Sequence, residues 1–83
     1  MSHDYKIEIY SQNNCAGCKQ AKQILTDRKM LFREYLIDSN PEYREKFFER
    51  LPNCRTVPQI FIGGRHIGGL EELVKELHSN DYA

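Results

Sequence analysis

Apolar and charged residues alternate from Lys6 to Tyr10, with Ile7 and Ile9 standing between Lys6 and Glu8. β-Branched residues at a period of two predict a strand. From Lys19 to Lys29 the period changes: Ala21, Ile24 and Leu25 recur at helical spacing. Asn13 and Asn14 are expected to cap this helix, and Arg28 and Lys29 to close its last turn with positive charge. Phe32 to Ile37 is apolar and aromatic, and the short turn before it suits a helix returning into a strand parallel to the first. A βαβ unit results. Asp38-Ser39-Asn40-Pro41 then reads as a turn with Pro at a first helical position, followed by Tyr43, Phe47, Phe48 and Leu51 at intervals of three or four. That helix is expected to end near Pro52, with Phe47 in the core and Phe48 at its margin.

Val57 to Ile62 reads as a strand with Pro58 at its edge, and Gly63-Gly64 supplies a two-residue hairpin turn into Arg65 to Ile67. Gly68-Gly69 interrupts again. Leu70, Leu73, Val74 and Leu77 predict a last helix, with Glu71 and Glu72 in the acidic first turn that the helix dipole favours. The tail from Ser79 to Ala83 is expected to be loose. The order is βαβ then αββα. It predicts an α/β fold: a small mixed four-stranded sheet flanked by three helices that cover both faces.

The chain has 83 residues, which predicts one domain spanning 1–83 with a modest core. Lys plus Arg and Asp plus Glu number 12 each, so the overall field favours neither nucleic acid nor an anionic membrane as partner. Met1-Ser2-His3-Asp4 leads into no apolar run, and no apolar stretch approaches the roughly 20 residues of a span. The expected compartment is the cytoplasm.

Three cysteines are present, an odd count that argues against a secreted disulfide framework. Two of them form Cys15-Ala16-Gly17-Cys18, between the first strand and the first helix. A helix start carries about half a positive charge and unpaired N–H groups, which favour a thiolate there. The first sulfur falls at the exposed end, and the second lies about one turn further in on the same side. This predicts a dithiol redox site in which Cys15 attacks and Cys18 resolves. A zinc reading needs two more donors. Cys54, His66, His78 and His3 are candidates, but no second pair has zinc spacing.

Ile9-Tyr10 before the Cys-x-x-Cys, Arg55-Thr56-Val57-Pro58-Gln59-Ile60-Phe61-Ile62, and Ile67-Gly68-Gly69 before an acidic helix start together resemble a glutaredoxin of the short bacterial or phage type. The likeness runs over nearly the whole chain. It implies a thioredoxin-like fold, a cis peptide before Pro58 that places the Val57 backbone opposite the reactive sulfur, and glutathione-dependent thiol–disulfide oxidoreductase activity. Protein disulfides and glutathionylated proteins are the implied substrates, with ribonucleotide reductase as an implied client for the electrons, no required metal, and a monomeric state. The implied glutathione site comprises Tyr10, Gln12, Gly17, Arg55, Thr56, Val57, Pro58, Gly69, Leu70 and Glu71.

The departures from the family pattern matter as much. Ala16 and Gly17 stand where the family commonly has Pro and Tyr, which removes a rigid ring and an aromatic flank and adds backbone freedom. Gln12 stands where the family often has a Lys for a glutathione carboxylate. Lys19 and Arg55 are alternative cations, or ordinary surface charges. Tyr10 could flank glutathione or simply bury a strand end, and His66 reads as a surface or packing residue. Cys54 reads either as a small structural residue or as a regulatory thiol. Two rival functions follow: a redoxin recharged by a flavoprotein reductase, and, because Ala16 is small, an iron–sulfur carrier or binding module.

Overall fold

The computed structural model describes residues 6–79. Residues 80–83 of the expected loose tail, and His3 of the zinc candidates, lie outside them. Four strands, β1 (Ile7–Ser11), β2 (Phe32–Leu36), β3 (Gln59–Ile62) and β4 (Arg65–Gly68), and three helices, α1 (Ala16–Asp27), α2 (Pro41–Arg50) and α3 (Leu70–Ser79), follow the expected order. The sheet runs β2-β1-β3-β4. β1 pairs in parallel with β2 and antiparallel with β3, which pairs antiparallel with β4. Gly63 and Gly64 have φ of 61° and 84°, the left-handed pair that a two-residue hairpin requires.

Side chains on β1 and β3 point alternately to the two faces. Ile7, Ile9, Ile60 and Ile62 join Ala21 and Leu25 of α1 and Leu73 and Leu77 of α3 in one buried cluster. Tyr10 and Phe61 point the other way and meet Phe47 of α2 in a second. The central strands are therefore buried on both sides. Among the described residues no helix is long and apolar enough to cross a membrane.

Several boundaries differ from the sequence expectation: Gly68 belongs to β4 and Ser79, expected in the loose tail, closes α3, and three further differences have a physical reason. α1 begins at Ala16, three residues before Lys19, and its N-cap is Cys15. Neither Asn13 nor Asn14 caps it: Asn14 turns the chain at φ 58°, and Asn13 donates its backbone N–H to Asp38 at 3.0 Å. The first turn, Ala16-Gly17-Cys18, carries little hydrophobic period and a weak helix former, so pattern could not reveal it. At the other end α1 stops at Asp27 with Arg28 as C-cap, and Lys29 has φ 59°, so its last turn holds no cation. β3 starts at Gln59, beyond Val57 and Pro58, because Pro offers no N–H to a ladder. α2 matches more closely, with Asn40 capping the Glu42 N–H at 2.9 Å and Pro41 at the first position.

Candidate active site

Cys15 and Cys18 form a disulfide at the start of α1, with Cα atoms 5.2 Å apart, inside the range that such a bridge spans without backbone movement. The Cys15 sulfur takes the place usually held by a capping oxygen and accepts the Cys18 N–H at 3.1 Å. That donor and the helix dipole converge on one atom, an arrangement that stabilises a thiolate once the bridge is opened. The two sulfurs differ in access. Cys15 is half-buried, whereas Cys18 is 1% exposed, so an incoming group meets Cys15 first.

The Val57–Pro58 peptide is cis, and the Val57 carbonyl oxygen lies 3.8 Å from the Cys15 sulfur. Gly17 belongs to this junction for reasons of space. A Cβ on it would stand 3.3 Å from Pro58 Cδ, closer than side chains comfortably pack. Its φ is not left-handed, so close approach to Pro58 explains this glycine where the sequence had pointed to backbone freedom.

A cleft of about 470 Å³ opens beside Cys15. Gln12, Arg55, Thr56 and Val57 line it as the sequence had grouped them, and α2 adds Arg44 and Phe48. The Arg44 guanidinium lies 5.8 Å from the Phe48 ring centroid. Sequence reading missed both residues because Phe48 was accounted for as core margin. Their spacing of four on a helix, which places them side by side, was the available signal. Asp38 also borders the cleft, with its carboxylate engaged by Asn13.

Several sequence candidates stand elsewhere. Tyr10 is 2% exposed, stacks on Tyr35 at 5.1 Å and meets the Arg50 guanidinium through its hydroxyl at 3.1 Å. It packs inside the fold and does not line the cleft. Gly69, Leu70 and Glu71 do not line the cleft, although Gly69 approaches the Pro58 carbonyl. The Gly69 N–H donates to Glu72 at 2.8 Å, half of a capping box at the start of α3. Lys19 borders a smaller hollow behind the two cysteines. Cys54 packs against the Tyr10, Phe47 and Phe61 cluster, with its sulfur 3.6 Å from the Thr56 carbonyl oxygen. Among the described residues no three His, Cys, Asp or Glu side chains gather as metal ligands.

A four-stranded mixed sheet with helices on both faces, and a dithiol at the first helix start facing a cis-proline, define a thioredoxin-like thiol–disulfide oxidoreductase. The glutaredoxin family profile matches residues 7–67. Glutaredoxin 3 of Escherichia coli K12 is 42% identical over 67 residues, covering 81% of this chain and 80% of its own. Among solved structures, glutaredoxin 1 from Francisella tularensis, complexed with cacodylate, superposes with a TM-score of 0.75 at 34% identity, covering 89% of this chain and 93% of its own. A buckwheat glutaredoxin–glutathione complex superposes with a TM-score of 0.72 at 26% identity, covering 88% and 67%. The chain belongs to the glutaredoxin family.

Proposed function

We propose that this oxidoreductase reduces peptide and protein disulfides, including mixed disulfides with glutathione, and is recharged by glutathione. The observation that carries the reading is the cleft beside Cys15, which combines the Thr56–Val57 backbone with the two guanidinium groups of Arg44 and Arg55. Glutathione is an extended peptide with two carboxylates, and arginine is the side chain best suited to carboxylates. The buckwheat relative's glutathione complex supports the same reading.

In this mechanism the Cys15 thiolate attacks a substrate disulfide, forming a Cys15–substrate disulfide and releasing one substrate thiolate. Cys18 then loses its proton and attacks the Cys15 sulfur, which releases the second substrate thiolate and closes the Cys15–Cys18 bridge. Two electrons pass to the substrate. Two glutathione molecules reopen the bridge and leave as glutathione disulfide. For a glutathionylated substrate Cys15 takes the glutathione, and a second glutathione removes it without Cys18. A lower thiol pKa raises the thiolate fraction, but a Brønsted slope of about 0.4–0.5 takes back most of that gain, leaving attack only about two- to threefold faster for a pKa lowered from about 8.5 to about 6. The larger benefit falls on Cys15 as a leaving group.

Gln12, Thr56, Val57, Pro58 and Gly17 shape the peptide side of the site. Gly69, Leu70 and Glu71 would receive the γ-glutamyl end once Glu72 releases the Gly69 N–H. Ribonucleotide reductase is the proposed client, the cytoplasm the compartment and the monomer the working state of a single 1–83 domain. Gln12, where the family often has a cation, favours one rival: recharging by a flavoprotein reductase.

Turnover of a glutathionylated peptide with glutathione, glutathione reductase and NADPH tests the proposal. Cys15→Ser is expected to lose more than about a thousandfold, while Cys18→Ser keeps this activity and loses reduction of a protein disulfide. Failure of glutathione to recharge an enzyme that a flavoprotein thioredoxin reductase does recharge would overturn it in favour of the rival.

A further inference from the structure

We infer that His66, on the outer strand β4, is a positioning residue for the peptide-binding backbone beside Cys15, acting through Gln59. Three side chains form a continuous chain of hydrogen bonds from the hairpin to the cleft. His66 Nε2 lies 2.7 Å from Gln59 Oε1. Gln59 Nε2 in turn donates to the Thr56 carbonyl oxygen at 3.2 Å and lies 3.3 Å from the Thr56 hydroxyl. Thr56 lines the cleft.

The polarity of this chain follows from one group. A backbone carbonyl only accepts, so the end of the Gln59 amide facing Thr56 is the NH2 group and the oxygen faces His66. His66 must then carry a proton on Nε2. Gln59 is 7% exposed, where an unpaired amide oxygen is costly, so removing the His66 donor leaves Thr56 as the amide's one remaining anchor and loosens its hold on the Thr56 carbonyl. The imidazole is held for the task by the ring of Phe61, with centroids 5.1 Å apart. Phe61 is itself fixed beneath the Arg50 guanidinium at 3.7 Å.

The consequence reaches the substrate through a single peptide unit. In a trans peptide the C=O and N–H point in opposite directions. Holding the Thr56 carbonyl toward Gln59 therefore turns the Val57 N–H to the other side, as a donor for the backbone of an extended substrate. The Val57 N–H is thereby placed beside the Cys15 sulfur, which lies 3.8 Å from the Val57 carbonyl oxygen.

The inference rests on the proposed function only in that the site receives peptide disulfides. Single-turnover reduction by enzyme previously reduced with dithiothreitol and freed of it makes the test independent of how the protein is recharged. Two probes are compared: a disulfide-linked cysteine peptide, and cystamine, which has no peptide backbone. His66→Ala is expected to slow the peptide about three- to tenfold, the worth of one hydrogen bond, and to leave cystamine unchanged. His66→Gln, which replaces the donor at similar reach, is expected to restore the peptide rate. Nitrogen-15 spectra of wild type should show His66 protonated at Nε2. Equal losses on both probes, no loss on the peptide, no rescue by His66→Gln, or a proton on Nδ1 alone would each overturn the assignment. Loss of glutathione recharging with the probe difference intact would count against the proposed function alone.

Discussion

The Cys15 sulfur occupies a position that most helices give to a hydroxyl or carboxamide oxygen, and its chemistry follows from that substitution. With the Cys18 N–H at 3.1 Å and the α1 dipole behind it, the thiolate is met by a fixed donor and a favourable field in place of mobile water. Titration of the reduced protein by ultraviolet thiolate absorbance is expected to place Cys15 below the value of about 8.5 of a free cysteine, and a result at or above it would remove the electrostatic account. At this scale the sequence was legible for the two cysteines, because spacing and position before a helix carried their roles. Arg44 and Phe48 were hidden because one-dimensional pattern assigns an aromatic near Phe47 to packing. Only the packing of α2 on the sheet, which buries Phe47 and leaves Phe48 beside Arg44, shows that Phe48 lines the cleft. Tyr10 was open for the same reason, since a strand residue beside a reactive loop can face either layer.

The elements were legible where punctuation was chemical. Asn40-Pro41 and Gly63-Gly64 each demand a conformation that few other residues supply, and both occur where expected. The start of α1 was not legible, because its cap is a sulfur and its first turn includes Gly17. The hairpin gives a clean energetic test: Gly64 has φ 84° and open space where a Cβ would stand, so substitution there meets backbone strain without a clash. Gly64→Ala is expected to cost about 1–2 kcal/mol, read as a lowered midpoint in chemical denaturation. Gly64→Asn should cost less, since Asn tolerates the left-handed region best among side-chain-bearing residues. Equal losses for the two would point to lost packing.

At the scale of the whole molecule, the two-faced core followed from the order of elements, and the side-chain ties between layers did not. One such tie joins three elements: Glu34 of β2 meets Lys22 of α1 at 2.7 Å and accepts the hydroxyl of Ser11 of β1 at 2.6 Å. Burial pushes the Glu34 carboxyl up, but the Lys22 and Ser11 hydrogen bonds and the Lys22 charge outweigh it and hold the group below the ordinary 4.5. A carboxylate with a lowered folded value stabilises the fold above its unfolded value, and that contribution disappears as the pH falls through the lowered one. Thermal midpoints measured from neutrality down through the carboxylate range should therefore fall less steeply for Glu34→Gln than for wild type. Parallel curves would show the tie to be energetically silent.

The near-complete enclosure of Cys18 beneath Cys15 has a bearing on oxidative injury. Peroxide reaching the reduced protein encounters Cys15 first and converts it to a sulfenic acid, releasing hydroxide. The enclosed thiol three residues on then condenses with that acid, expels water and regenerates the ordinary bridge before the irreversible sulfinic stage. Mass spectrometry after peroxide exposure should accordingly find wild type two hydrogens lighter and Cys18→Ser two oxygens heavier, so that the inner sulfur guards the outer one from permanent inactivation.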